Sequence, residues 1–243
     1  MAAMGALMLA RLDFPPVLVP LPRLLPGRVL LAGLSGAWLI ASAVTILIDR
    51  RARSGALAIA GLLSLGMLLH LRPVLMYPAS PAWAVAFETV ALGAAAWTLA
   101  GVLGPLPERM RVAARWGFGP SLLAFGLFHF IYHGYIESAI PAWIPGHQIW
   151  TYGIGVALIA AGLAILTRIK ARLAATMLSI MFGSWVFIVH APRVAASPSN
   201  ADEWSSLIIA LACCGASWII RESLAPAAFA GDAAGPQRGE GRR

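Results

Sequence analysis

The chain has 243 residues, 60% of them apolar and only 12% charged, with a mean hydropathy of +0.79. That leaves too few polar side chains to clothe a water-soluble globule of 25.6 kDa. The formal charge of +8 would point to nucleic acid in a soluble protein, but the basic residues sit in short gaps between long apolar runs, where they set orientation instead. The two cysteines, Cys213 and Cys214, are adjacent in an apolar run, which excludes a disulfide framework, a C-x-x-C redox pair and a C-x-x-C-H haem attachment site.

In chain order, Met1–Gly27 comes first and is no ordinary secretory signal. Its apolar stretch Gly5–Ala10 is broken by Arg11, Asp13, Pro15 and Pro16 before a span is complete. A helix rises about 1.5 Å per residue, so crossing about 30 Å of hydrocarbon takes roughly 17 to 25 apolar residues. Seven runs qualify: Val29–Ile48, Gly55–Leu71, Ala84–Gly104, Gly117–Tyr135, Trp150–Thr167, Leu173–Val189 and Trp204–Ile220. Backbone amides facing lipid must bond within their own segment, so this open series predicts an all-α, polytopic transmembrane bundle of seven spans. After them comes a tail, residues 221–243, whose Ala, Gly and charge from Ala225 to Arg243 predict disorder in the cytoplasm.

The gaps between runs alternate in basic content. Arg50, Arg51 and Arg53 follow the first span, Arg109, Arg111 and Arg115 the third, Arg168, Lys170 and Arg172 the fifth, and Arg221, Arg238, Arg242 and Arg243 the last. The opposite side holds Arg11, Arg23, Arg28, Arg72 and Arg193. The positive-inside rule then predicts a cytoplasmic C-terminus and an outside N-terminus, and the localisation expected is a bacterial-type inner membrane.

Sliding the chain on itself by 119 to 121 residues exposes an internal repeat. Pro22, Pro26 and Gly27 match Pro141, Pro145 and Gly146; Ala52-Arg53 matches Ala171-Arg172; His70 and Pro73 match His190 and Pro192. Trp83 and Trp97 carry the same spacing as Trp204 and Trp218. The pattern predicts two parallel four-helix units, 29–104 and 117–220, behind an N-terminal stub and Pro-rich segment at 1–28. The first unit keeps only Met1–Leu12 of its opening helix, which accounts for the outside N-terminus.

The second unit, Phe118 to Ile220, resembles the DoxX-like family of small four-helix membrane proteins. The likeness is carried by His129-Phe-Ile-Tyr-His133, by the loop Pro141-Ala-Trp-Ile-Pro-Gly-His147, and by Tyr152-Gly-Ile-Gly-Val-Ala-Leu-Ile-Ala-Ala-Gly162. It continues through the basic turn, Leu173-Ala-Ala, Val189-His190 and Glu203-Trp204. Some members are associated with thiosulfate oxidation by quinone or with oxidative-stress complexes, so the resemblance implies a redox neighbourhood. It transfers no catalytic residue.

With that topology, all five histidines fall at or near the extracytoplasmic ends of spans. His70 ends the second, His129 and His133 lie in the outer half of the fourth, His147 is in the next loop and His190 ends the sixth. Glu88 lies five residues past Trp83, roughly 7.5 Å deep at helical rise, where a carboxylate is costly unless it faces the bundle. His129, His133 and Glu137 are spaced i, i+4, i+8 with Tyr132 alongside, forming one polar stripe. Three readings of that stripe stand: hydrogen bonding between helices or proton relay, a pocket for a quinone or other apolar ligand, and a metal or haem held by His129 and His133. His70 and His190 are either interfacial anchors or the lining of a pseudo-symmetric outer pocket. Gly33, Gly36, Gly55, Gly61, Gly66, Gly153, Gly155 and Gly162 are spaced for close helix packing.

The reading that follows is a DoxX-like inner-membrane protein acting as an accessory or quinone-linked redox subunit. Its partners are the lipid bilayer, a redox enzyme subunit and a second copy of the chain, and its candidate pocket is His70, Glu88, His129, Tyr132, His133, Glu137, His147 and His190. A small-solute permease working at the junction of the units and a non-catalytic membrane anchor are the alternatives.

Overall fold

The computed structural model describes residues 1–15, 25–76 and 82–224, and every regular element among them is helical. They are α1 (Ala2–Arg11), α2 (Arg28–Leu47), α3 (Ala52–Met76), α4 (Ala82–Val102), α5 (Glu108–Ile131), α6 (His133–Ala139), α7 (His147–Thr167), α8 (Ala171–Trp185), α9 (Ala191–Ala196) and α10 (Ala201–Ser223). A 3₁₀ turn at Asp49–Arg51 leads into α3, and a π-helical turn at Val186–His190 joins α8 to α9. The expected disorder of Ala225–Arg243 and the Pro-rich stretch 16–24 lie outside the described residues.

Among the described residues six helices are long and apolar enough to cross a membrane: α2, α3, α4, α7, the continuous α8–α9 rod Ala171–Ala196, and α10. Their outward faces are those of lipid-contacting helices; Leu47 is 85% exposed and Ile149 79%. Hydroxyls within them bond to their own backbone one turn earlier, as Thr45 does to the carbonyl of Ala41, Ser64 to that of Ala60 and Thr98 to that of Ala94. These three hydroxyls are thereby paired without help from water.

The fourth expected span, Gly117–Tyr135, differs from its expectation. Helix α5 starts earlier, at Glu108, so four charged residues and Pro120 share its length with the apolar run. It also ends sooner. Tyr132 leaves helical geometry at φ −109° and ψ 31°, and α6 resumes at His133.

Contacts between helices follow chain order around a closed circuit. Helix α1 packs on α2, α2 on α3, α3 on α4, α4 on α5, α5 on α7, α7 on α8, α8 on α10, and α10 returns to α1. Helices α4 and α10 also touch each other across the middle.

Buried positions recur along this circuit. Ala32, Gly36, Leu39 and Ser42 face inward from α2, and the residues 119 later, Thr151, Gly155, Leu158 and Ala161, face inward from α7. In the next helices Ala52, Ala56, Ile59, Ala60 and Leu63 are buried, as are Ala171, Ala175, Leu178, Ser179 and Phe182 at the same offset. Beyond the π turn the offset becomes 120: His70 aligns with His190, and Val74 and Val194 are both buried. A π turn accommodates one extra residue in a helix, so Val186–His190 accounts for the change of register.

The Pro-Gly landmarks also share a geometry. Gly27 (φ 74°) and Gly146 (φ 71°) both sit in the left-handed region and cap the N-termini of α2 and α7, a conformation glycine adopts without steric cost. The small-residue positions divide. A methyl group on Gly36 would fall 2.8 Å from the carbonyl oxygen of Gly5, and one on Gly155 would fall 3.1 Å from that of Gly126. Gly33, Gly61 and Gly153 have nothing within 4 Å of that position, so these three do not serve helix packing.

Candidate functional site

The C-terminal end of α5 sets the first part of the site. His129 is held by a 2.7 Å bond between its Nδ1 and the carbonyl oxygen of Phe125. A carbonyl can only accept, so Nδ1 carries the proton and Nε2 keeps its lone pair. The ring lies 6.5 Å from Trp185, the last residue of α8 before the π turn.

The pause at Tyr132 divides the polar stripe. His133 belongs to α6, where its Nδ1 is 3.4 Å from Glu137 Oε1, and its ring lies 6.0 Å from Tyr152 on α7. That carboxylate oxygen is enclosed and its contact with His133 lacks hydrogen-bond geometry. The two imidazoles therefore meet different helices, His129 turning to α8 and His133 to α7. Among the described residues no group of three or more His, Cys, Asp or Glu side chains is arranged to hold a metal ion.

Aromatic rings form a row beside this end. Trp83 stacks on Phe87 at 6.0 Å, Phe87 meets Phe128 at 6.3 Å, and Phe128 meets Tyr132 at 5.7 Å. The row crosses from α4 to α5, where Phe128 precedes His129 in the chain and Tyr132 precedes His133. Its spacing, Trp83 with Phe87 and Phe128 with Tyr132, is i, i+4 on each helix.

A second cluster lies where the π turn, α9 and α10 converge. Arg193 pairs with Glu203 through two bonds, Nε to Oε2 at 2.8 Å and Nη2 to Oε1 at 2.9 Å. His190 is within electrostatic reach of both, and Tyr135 of Arg193. The His190 Nδ1 is enclosed without a hydrogen-bond partner. π turns are frequent at functional sites because they re-aim side chains.

The remaining candidates stand apart. His70 is 1% exposed, its Nδ1 2.8 Å from the carbonyl oxygen of Gly66 on its own helix and its Nε2 enclosed without a partner. His70 sits on α3, which packs on α4, and His190 in the π turn, which packs on α10. His147 opens α7 with its Nε2 3.2 Å from the carbonyl oxygen of Pro141, fastening the Pro141–Pro145 loop. Glu88, half-buried on α4, lies within electrostatic reach of Cys213 on α10.

Two described cavities lie elsewhere, and none of the eight candidate residues lines either. One of about 260 Å³ sits between α3, α4 and α5 around Ser64, Met67 and Trp97. The larger, about 510 Å³, lies at the end of the bundle that carries the basic turns, where the last turns of α4, α7 and α10 meet the first turns of α5. Arg115, Arg168, Glu108 and Glu222 are among its lining. Sequence reasoning took these arginines for orientation signals alone. It also missed Trp185 and Tyr152 as partners of the imidazoles, since those contacts join distant segments.

A family model described as a domain of unknown function (DUF8561) matches residues 118–211. No curated protein and no solved structure matches the chain.

Proposed function

We propose that this chain is a DoxX-like, multi-pass inner-membrane protein that works as an accessory or quinone-linked redox subunit. Its ligand site is the aromatic row and imidazole at the end of α5. Two observations carry the reading: the row Trp83, Phe87, Phe128 and Tyr132, and His129, next to Phe128 in the chain, with its Nδ1 bonded to the Phe125 carbonyl. A planar ring stacks on aromatic faces, and a few fixed polar groups beside them orient it. With Nδ1–H committed to the Phe125 carbonyl, Nε2 accepts, which suits the hydroxyl of a quinol. The Tyr132 hydroxyl donates to the second oxygen.

The same reading takes α5 as a seventh span, its basic first turns at the cytoplasmic face and His129 toward the outer one. Two parallel units built by duplication account for the recurrence of buried residues at offsets of 119 and 120. The packing of α1 on α2 through Gly5 and Gly36 mirrors that of α5 on α7 through Gly126 and Gly155. This supports α1 as the counterpart of α5.

The test is purification of the full chain in mild detergent, with an optical spectrum, metal analysis and lipid-extract mass spectrometry on one sample. A quinone near one per chain is expected. Substituting His129→Ala or Tyr132→Phe should remove it while the protein stays monodisperse. A folded protein that carries no quinone, or carries as much after both substitutions, overturns the reading.

A second reading, a small-solute permease, is favoured by the position of Glu88 where α4 of one unit meets α10 of the other. Substrate movement in proteoliposomes that Glu88→Gln stops, without any bound cofactor, would replace the first reading with this one.

A further inference from the structure

The 510 Å³ cavity at the basic-turn end is of the size that holds a small ligand, for which about 300–1,000 Å³ is usual. Its walls come from both units, α4 on one side and α5, α7 and α10 on the other. Two arginines line it. Arg115 stands seven residues into α5, roughly 10 Å from the first turn at helical rise, and its Nε is enclosed without a hydrogen-bond partner. Arg168 follows the last residue of α7 in a left-handed conformation, φ 63°. An enclosed donor left unpaired is costly, so the site as built calls for an acceptor.

Two carboxylates, Glu108 and Glu222, are also in the lining. Glu222 borders the cavity and pairs with Arg221; Glu108 has a partner of its own. The C-terminal turns of α4, α7 and α10 also end here, and helix C-termini present carbonyl oxygens with partial negative charge. Val102, Val112 and Ile165 supply an apolar flank between the charged groups. A purely anionic ligand would satisfy the arginines and face the carboxylate and carbonyls unfavourably. A headgroup carrying both a phosphate and a primary ammonium matches both sets, and acyl chains lie along the apolar flank.

We propose that this cavity is a binding site for an aminophospholipid, its phosphate held by Arg115 and Arg168 and its ammonium by Glu222 and the carbonyl ends of α7 and α10. Guanidinium suits phosphate because it offers planar, paired N–H donors, and basic pockets between spans at headgroup depth recognise lipid heads in this way. The ammonium has three N–H donors, which a trimethylated choline head lacks. The site does not depend on which face of the membrane this end occupies, nor on any ligand at His129.

Native mass spectrometry of the full chain, purified in detergent and offered equal amounts of phosphatidylethanolamine, phosphatidylglycerol and phosphatidylcholine, tests the proposal. Phosphatidylethanolamine should be retained at least tenfold over the other two. The double substitution Arg115→Gln, Arg168→Gln should abolish that preference, and Arg109→Gln, which removes an exposed charge outside the cavity, should preserve it. If the double variant does not fold, Glu222→Gln serves in its place, lowering phosphatidylethanolamine retention and leaving phosphatidylglycerol unchanged. Equal or better retention of phosphatidylglycerol or phosphatidylcholine overturns the proposal. So does a preference that survives in every folded variant, or displacement of the lipid by inorganic phosphate alone.

Discussion

Gly126 and Gly155 face each other so closely that a methyl group on Gly126 would fall 2.6 Å from the Gly155 carbonyl oxygen. The obstacle is backbone, so side-chain rotation cannot relieve it, and α5 and α7 would have to move apart. Gly126→Ala is therefore expected to destabilise the protein by about 1–3 kcal/mol, the usual cost of overpacking. Gly153→Ala, which meets nothing within 4 Å, is expected to be neutral. Thermal unfolding of both variants in the same detergent checks the difference.

The bidentate Arg193–Glu203 pair ties α9 to the first turn of α10. The Arg193 side chain is 40% exposed and that of Glu203 16%, so solvent screens part of the attraction. A double-mutant cycle with Arg193→Gln and Glu203→Gln is expected to give a coupling of about 0.5–1 kcal/mol. A coupling indistinguishable from zero would mean that the two groups do not hold this corner together.

Removing the extra residue of the π turn should be tolerated. Helix α3 passes through the matching stretch without such a turn and buries Val74 where the α8–α9 rod buries Val194. Deletion of Ile188, which is 37% exposed, should let the rod run as a plain α-helix and keep Arg193 beside Glu203. Deletion of Met177, in the regular part of α8, rotates everything beyond it by about 100° and is expected to prevent folding. Size-exclusion profiles and melting temperatures of the two deletions decide the matter.

Sidedness can be read with single cysteines placed in a Cys213→Ser, Cys214→Ser background. Lys170→Cys, in the turn between α7 and α8, and Trp143→Cys, in the loop before α7 and 71% exposed, should react with a membrane-impermeant maleimide from opposite faces. In the native chain Cys213, at 7% exposure, should react only after denaturation. Labelling of positions 143 and 170 from one face would overturn the orientation that the basic turns imply.

Much of this architecture is legible in the residues. The apolar runs locate the six spanning helices to within a few positions, because hydrocarbon thickness fixes their length. The spacing of like residues changes across the π turn, from 119 positions between Ala52 and Ala171 to 120 between His70 and His190. Tyr132 gives no such warning: Ile131–Tyr135 holds no proline and reads as continuous helix, and the pause there is visible only in three dimensions. That pause separates His129 from His133, the pair whose spacing carried the metal reading. The larger cavity escapes sequence reasoning for another reason. It forms where four helix ends from four separate segments converge, and each arginine taken alone has a sufficient explanation in topology.

The closed circuit of helix contacts bears on how the protein is made. Because nearly every neighbour in space is also a neighbour in sequence, each hairpin leaving the ribosome finds its partner already beside it in the bilayer, and little search is required. Helix α10 must wait for distant surfaces, those of α1 and α4, and is the keystone of the circuit. A nascent chain stalled before it would hold seven of the circuit's eight helices in order with two faces still uncovered, a natural substrate for membrane quality control.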